Sequence, residues 1–236
     1  SMSCSGGSRH HSVPYRARTP ATRCPSKTRA DGQQRARLVS WTWAASSCRG
    51  TSHVRDGTSC QDVSACALLP GDRLVAIACD GAGSATFGHQ GALIVARTYL
   101  QSARVHFAAK GAMPSDDDVW DWLDSARDKI GRAAANRALE PKQFACTLVA
   151  CIATPSSTLV THVGDGACVV QMDGAWQIAT WPETGEYAST TYFVTDSPQA
   201  RLRFRRLPAI DALAVFTDGI ERLVLDFKTQ TAHAPW

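Results

Sequence analysis

No stretch of this 236-residue sequence approaches the ~20 consecutive apolar residues of a bilayer-spanning helix. The longest apolar run, FACTLVACIA at 144–153, has the length of a buried strand. The nine cysteines contain no C-x-x-C pair, which argues against a zinc ribbon and a disulfide framework and points to a reducing compartment. Acidic residues are nearly missing from positions 1–37, where seven Arg and one Lys face only Asp31. That segment also lacks apolar periodicity and any apolar leader core, so it is expected to be a disordered basic arm rather than a secretory signal. The net charge of +4 therefore belongs to the arm. The remainder, with 17 basic and 20 acidic residues, is mildly acidic, which argues against a nucleic-acid-binding face.

What is present is one domain of mixed type, expected over 38–236. A hydrophobic content of 44% is enough for a folded core. WTWAASSCRG (41–50) reads as a first strand, DVSACALLP (62–70) as a second, and RLVAIACD (73–80) as a buried third. Helices are expected across 88–108 and 116–139. The second has Ser115 as its N-cap, an acidic first turn, and an apolar stripe of Val119, Trp122, Leu123, Ala126 and Ile130. Then the period changes. FACTLVACIA, STLVTHVGD (157–165), ACVVQMD (167–173) and AWQIAT (175–180) are short strands, with Asp173-Gly174 as a hairpin turn. RLRFRRLP (201–208) and DALAVFTD (211–218) add two more. Strands, two helices and a run of hairpins predict an α+β sandwich with helices packed outside antiparallel sheets.

Three apolar strands end in an Asp-Gly pair: Asp80-Gly81, Asp165-Gly166 and Asp218-Gly219. Asp62 stands at the mouth of a fourth strand. Asp-Gly is itself a common turn pair, so each motif alone reads equally as a turn. Together they gather carboxylates that repel one another unless protonated or bound to a cation. Oxygen-only ligands suit Mg²⁺ or Mn²⁺. The competing dinucleotide reading of GAGSATFG (81–88) fails at Thr86, where G-x-G-x-x-G needs its last glycine. It would also set Asp80 against a pyrophosphate.

From about Trp41 onward the chain resembles the metal-dependent Ser/Thr protein phosphatases of type 2C. The resemblance is carried in order by CQD (60–62), ACDGAGS (78–84), ACT (145–147), HVGDGA (162–167) and FTDGIE (216–221). The stretch GEYASTTYFVT (185–195) resembles a bacterial subgroup sometimes encoded beside a kinase and a von Willebrand A-type protein. The resemblance implies a four-layer αββα sandwich and a site of two Mg²⁺ or Mn²⁺ ions, with a weak third. Asp80 and the Gly81 carbonyl would bind metal, Asp218 would bind the second ion, and Asp62 would ligate or hold a water. Asp165, with Glu221, would serve the third site. It implies hydrolysis of phospho-Ser or phospho-Thr proteins in the cytoplasm by a metal-activated water, with no nucleic-acid or membrane partner.

Departures from the pattern are specific. Gln61 stands where the early motif carries an acid, and Ala82 where many relatives carry a general-acid His. The usual phosphate-binding Arg has no match, leaving His53 for that role with Arg49 and Arg55 behind it. The sequence stops at TAHAPW, 18 residues after Asp218, so the family's last helix, strand and metal-binding Asp are expected to be missing. These departures keep open an alternative: a pseudophosphatase or phosphoprotein-binding regulatory module.

Overall fold

Two strands joined by a tight turn come first in the fold: β1 (Val63–Leu69) and β2 (Arg73–Cys79) pair antiparallel, Val63 opposite Cys79. The computed structural model of the chain describes residues 41–50, 55, 57, 59–183 and 191–233. The expected basic arm and His53 lie outside these residues. Helix α1 (Gly88–Lys110) follows and stops at Gly111, whose left-handed backbone (φ 68°) lets its N–H donate to Phe107 O. Helix α2 (Asp116–Ala135) starts as expected. Ser115 Oγ accepts from the Asp118 N–H at 3.1 Å, and the Asp118 carboxylate accepts from the Ser115 N–H at 2.9 Å. Its stripe of Val119, Trp122, Leu123, Ala126 and Ile130 is buried throughout.

Next come β3 (Leu148–Ala153), β4 (Ser157–Val163), β5 (Ala167–Met172), β6 (Ala175–Thr180), β7 (Arg203–Pro208) and β8 (Ala212–Phe216). They form a five-stranded sheet in the order β1-β2-β3-β4-β7 and a three-stranded sheet in the order β6-β5-β8, with antiparallel pairing throughout. Helix α3 (Glu221–Val224) and the small hairpin of β9 (Leu225–Asp226) and β10 (Thr231–Ala232) close the described chain. Among the described residues, no helix is long and apolar enough to cross a membrane.

The layers follow from strand alternation. Val75, Ile77, Leu148, Ala150 and Ile152 face α1 and α2 in one core. Their neighbours Leu74, Val149, Cys151 and Val160 meet Cys168 and Val170 of the second sheet in another. Ala167 and Val169 point the other way, against Val224 and Leu225. Three cores thus separate four layers: helices, sheet, sheet, and the short α3 with its hairpin. The fold is the expected α+β sandwich, its fourth layer made of a single helical turn and two-residue strands.

Three local expectations change. No strand forms at 41–50; Trp41 packs into the inter-sheet core while Trp43 is 51% exposed, and that contrast imitates strand alternation. Helix α2 ends at Ala135 rather than 139, because Ala138 takes a positive φ (53°) and turns the chain. The apolar run at 144–153 yields a strand only from Leu148. Pro141–Phe144 is a 3₁₀ turn, and Ala145, Cys146 and Thr147 pair instead with the turn after β2.

Candidate metal centre

Strand register brings the acids to one end of the sandwich. Val63 opposes Cys79, Ala78 opposes Val149, and Leu148 opposes Val163, so the start of β1 and the ends of β2 and β4 share one edge. Asp62, Asp80 and Asp165 extend from those positions. In the second sheet Ala167 opposes Phe216, which places Asp218, two residues on, at the same end. Four carboxylates distant in sequence become neighbours because antiparallel pairing fixes where each strand stops.

The turn carrying Asp80 is held from several sides. The Thr147 N–H donates to Asp80 O at 2.8 Å, and the Asp80 N–H donates to Thr147 Oγ1 at 3.0 Å. The Ala82 N–H donates to Ala145 O at 2.9 Å, and the Gly81 N–H to Gln61 O at 3.3 Å. Gly81 must lack a side chain, since a Cβ there would lie 2.3 Å from the Gly88 carbonyl carbon at the start of α1. Across the site Thr191 Oγ1 donates to Asp165 Oδ2 at 2.5 Å, and the Cys60 thiol lies 3.7 Å from Asp62 Oδ2. Thr147 falls in the ACT motif, but neither its partner nor that of Thr191 was legible in the sequence, because those partners lie 67 and 26 residues away.

Electrostatics mark Asp80 as the centre. Burial pushes its carboxyl up to about 8, reinforced by the charges of Asp62, Asp218 and Asp165 and by a hydrogen bond with Asp218. Burial likewise raises Asp165, against the lowering effect of Thr191, with Asp218 adding to the rise. Glu221 is raised by burial and then by Asp218 and Asp165, so it belongs to the same field.

Two openings flank the cluster. A cleft of about 730 Å³ is lined by Asp62, Asp80 and Asp218 together with Arg49 and Cys60. A smaller one of about 390 Å³, on the Asp165 side, is lined by Asp80, Asp165, Thr147, Thr191 and Asp218. A third cavity, between the sheet edges under Trp41, contains none of these acids. Of the residues expected at the site, Asp62, Asp80, Gly81, Asp165, Asp218 and Glu221 come together. Arg49 reaches the cleft, and His53 is outside the described residues.

Among the described residues, no three His, Cys, Asp or Glu side chains converge as a preassembled metal cage. The donor chemistry nevertheless fits Mg²⁺ or Mn²⁺. The ligands are hard oxygens, the cluster repels itself without a cation, and such ions are held by one or two carboxylates with retained waters.

The family described as Protein phosphatase 2C matches residues 49–236. Serine/threonine-protein phosphatase 3 of Escherichia coli (strain K12) is 33% identical over 209 residues, covering 84% of this chain and 81% of that protein. A bacterial serine phosphatase structure superposes with a TM-score of 0.53 at 18% identity, over 73% of this chain and 77% of that one. The serine/threonine phosphatase Stp1 from Staphylococcus aureus gives 0.52 at 18% identity, over 73% and 75%. These structures share the sandwich. With four acids at one sheet end and the family match spanning both sheets, the chain belongs to the protein phosphatase 2C family of serine/threonine phosphatases.

Proposed function

We propose that this chain hydrolyses phospho-Ser and phospho-Thr in proteins, using two Mg²⁺ or Mn²⁺ ions held at the sheet end. The observation that carries the reading is Asp80, half-buried and raised by the charges of Asp62, Asp218 and Asp165. Asp80, the Gly81 carbonyl and Asp218 would hold the two ions, with Asp165 and Glu221 toward a weaker third. When bound, the cations supply neutralisation of the phosphoryl charge and acidify water.

The chain's own groups do the rest. Asp62 lines the larger cleft, where its carboxylate can accept a hydrogen bond from the attacking water and orient it. Arg49 lines the same cleft and offers a guanidinium to phosphate oxygens. Arg49 and Arg55 are both exposed, and of the two it is Arg49 that lines the cleft. With Ala82 buried in the turn, that position contributes no acid, so the leaving alkoxide must take its proton from water. A cognate kinase, a von Willebrand A-type partner and a cytoplasmic setting belong to the same reading. The cytoplasmic setting is supported by the seven cysteines among the described residues, all free thiols.

The second reading, a phosphoprotein-binding module of little activity, is favoured by Gln61 and Ala82. Hydrolysis of an aryl phosphate with Mn²⁺ and with chelator separates the two. Turnover that needs Mn²⁺ and disappears in Asp80→Asn supports the phosphatase. Absence of turnover together with absence of calorimetric Mn²⁺ binding supports the binding module.

A further inference from the structure

The polar residue beside Asp62 has two carbonyl oxygens in front of it. Gln61 directs its carboxamide at Gly81 O and Ala82 O, at 2.7 and 2.9 Å. Both facing atoms only accept hydrogen bonds, so the amide nitrogen must be the atom turned toward them, and its two hydrogens serve one carbonyl each. The backbone of the same residue adds a third link, accepting from the Gly81 N–H. Room for the carboxamide exists because Gly88 has no side chain; a Cβ there would come within 2.5 Å of it. Strand mouth, metal-site turn and helix start therefore meet on this one side chain.

We propose that Gln61 is a positioning residue that fixes the Asp80-Gly81-Ala82 turn, and with it the Gly81 carbonyl, for cation binding. A carbonyl oxygen has two lone pairs, so the amide bond leaves one for the ion. An ionised Glu at this position has no hydrogen to donate. It sets two more oxygens against two carbonyl oxygens, displacing the turn it replaces a clamp on. Position 61 is thus a support for ligands and not a missing ligand, although an acid is what the family's early motif places there. The sign of the Gln61→Glu effect distinguishes the two. The catalytic part of the inference rests on the phosphatase reading above; the clamp itself does not.

The test uses the full chain with Gln61→Glu and Gln61→Met, the second keeping side-chain length without a donor. Mn²⁺ affinity is measured by calorimetry, turnover with an aryl phosphate, and hydrogen exchange at residues 80–85 in chelator. Outer-sphere supports of this kind are worth about 10–100-fold in metal affinity or activity. Both variants are expected to lose about 10-fold or more in Mn²⁺ affinity and in kcat, with KM for the small phosphate little changed. The Ala82 amide, bonded to Ala145 O, should exchange faster in both variants while β3 amides keep their protection. Tighter Mn²⁺ binding or faster turnover in Gln61→Glu would overturn the proposal, as would unchanged exchange at 80–85 in both variants. If the wild type shows no Mn²⁺-dependent turnover, the phosphatase reading fails, and the exchange measurement alone decides the clamp.

Discussion

A carboxyl group held at a pKa of about 8 binds a proton at neutral pH until a cation displaces it. Asp80 is in that condition, and the consequence for the metal-free protein has a definite sign. Its folded pKa lies above the ordinary carboxylate value of 3.8, so the folded state keeps a proton that the unfolded chain releases. The associated stability is complete below pH 3.8 and is lost as pH rises through about 8. Asp80→Asn removes the charge that causes the loss. In chelator at pH 9 the variant is expected to be more stable than wild type by about 1–3 kcal/mol, allowing for water entering the open site. Near pH 4 the two should coincide. Melting curves in chelator at the two pH values check this, and equal melting at pH 9 would mean the four acids do not strain one another.

Among the elements, α1 is placed by contacts that tolerate no added atom. A Cβ on Gly91 would lie 1.9 Å from Phe144 O, a backbone atom of the 3₁₀ turn that precedes the strip 145–147. The same turn anchors the start of the helix: the Phe87 N–H donates to Gln143 O at 2.8 Å, and Thr86 Oγ1 to Gln143 Oε1 at 2.8 Å. The helix start, the 141–147 segment and the Asp80 turn form one packed unit. Gly91→Ala therefore pushes the unit apart and is expected to cost at least ~2–3 kcal/mol, the upper range for overpacking, despite the better helix propensity of Ala. Urea unfolding measures it. A variant as stable as wild type would show that this junction yields. Because the strip bonds the Asp80 turn directly, Mn²⁺ affinity should fall in the same variant.

At the scale of the molecule, the two sheets are joined by a partly buried polar contact as well as by apolar packing. His162 lies on the inter-sheet face of β4, fully buried, and its Nδ1 accepts from Arg203 Nη2 at 2.8 Å. Arg203 also donates to Trp181 O, just past β6, and pairs with Glu183 at 3.0 Å. Burial, and then the Arg203 charge, push the His162 imidazole down to about 3. The unfolded chain takes up this proton near pH 6.5, and the folded state refuses it until about 3. The contribution is whole above pH 6.5 and is lost as pH falls toward 3, at up to ~1.4 kcal/mol per pH unit. Denaturant midpoints between pH 7 and 4 should fall in wild type and fall less in His162→Gln. Parallel pH profiles for the two proteins would remove His162 as the cause.

Much of this architecture was legible in advance, for a local reason. β1 to β8 and both long helices follow period and capping: Ser115 announces α2, and Asp173-Gly174 turns β5 into β6 at positive φ of 52° and 77°. The misread pieces are those whose partners are remote. Ala145 to Thr147 look like strand but are claimed by the turn at Asp80, and Trp41 to Ser46 alternate without finding a ladder. At the site, Asp80, Asp165 and Asp218 were readable because each follows the end of an apolar strand, and Asp62 because it stands at the mouth of one. The contacts of Gln61, Thr147 and Thr191 were not, because nothing in their neighbourhoods of sequence shows which backbone or carboxylate they will meet.

The sequence by itself determined the alternation that builds three cores, the glycine that follows Asp80, Asp165 and Asp218, and the oxygen-only chemistry of the acids. These are properties of a few consecutive residues. Only the tertiary structure decided that the acids share one end of the sandwich, that Asp80 is the one they burden, and that the Gln61 amide meets the carbonyls of its turn. Those outcomes depend on antiparallel register and on the close approach of Gly81 to Gly88, and both are set by packing between segments far apart in the chain.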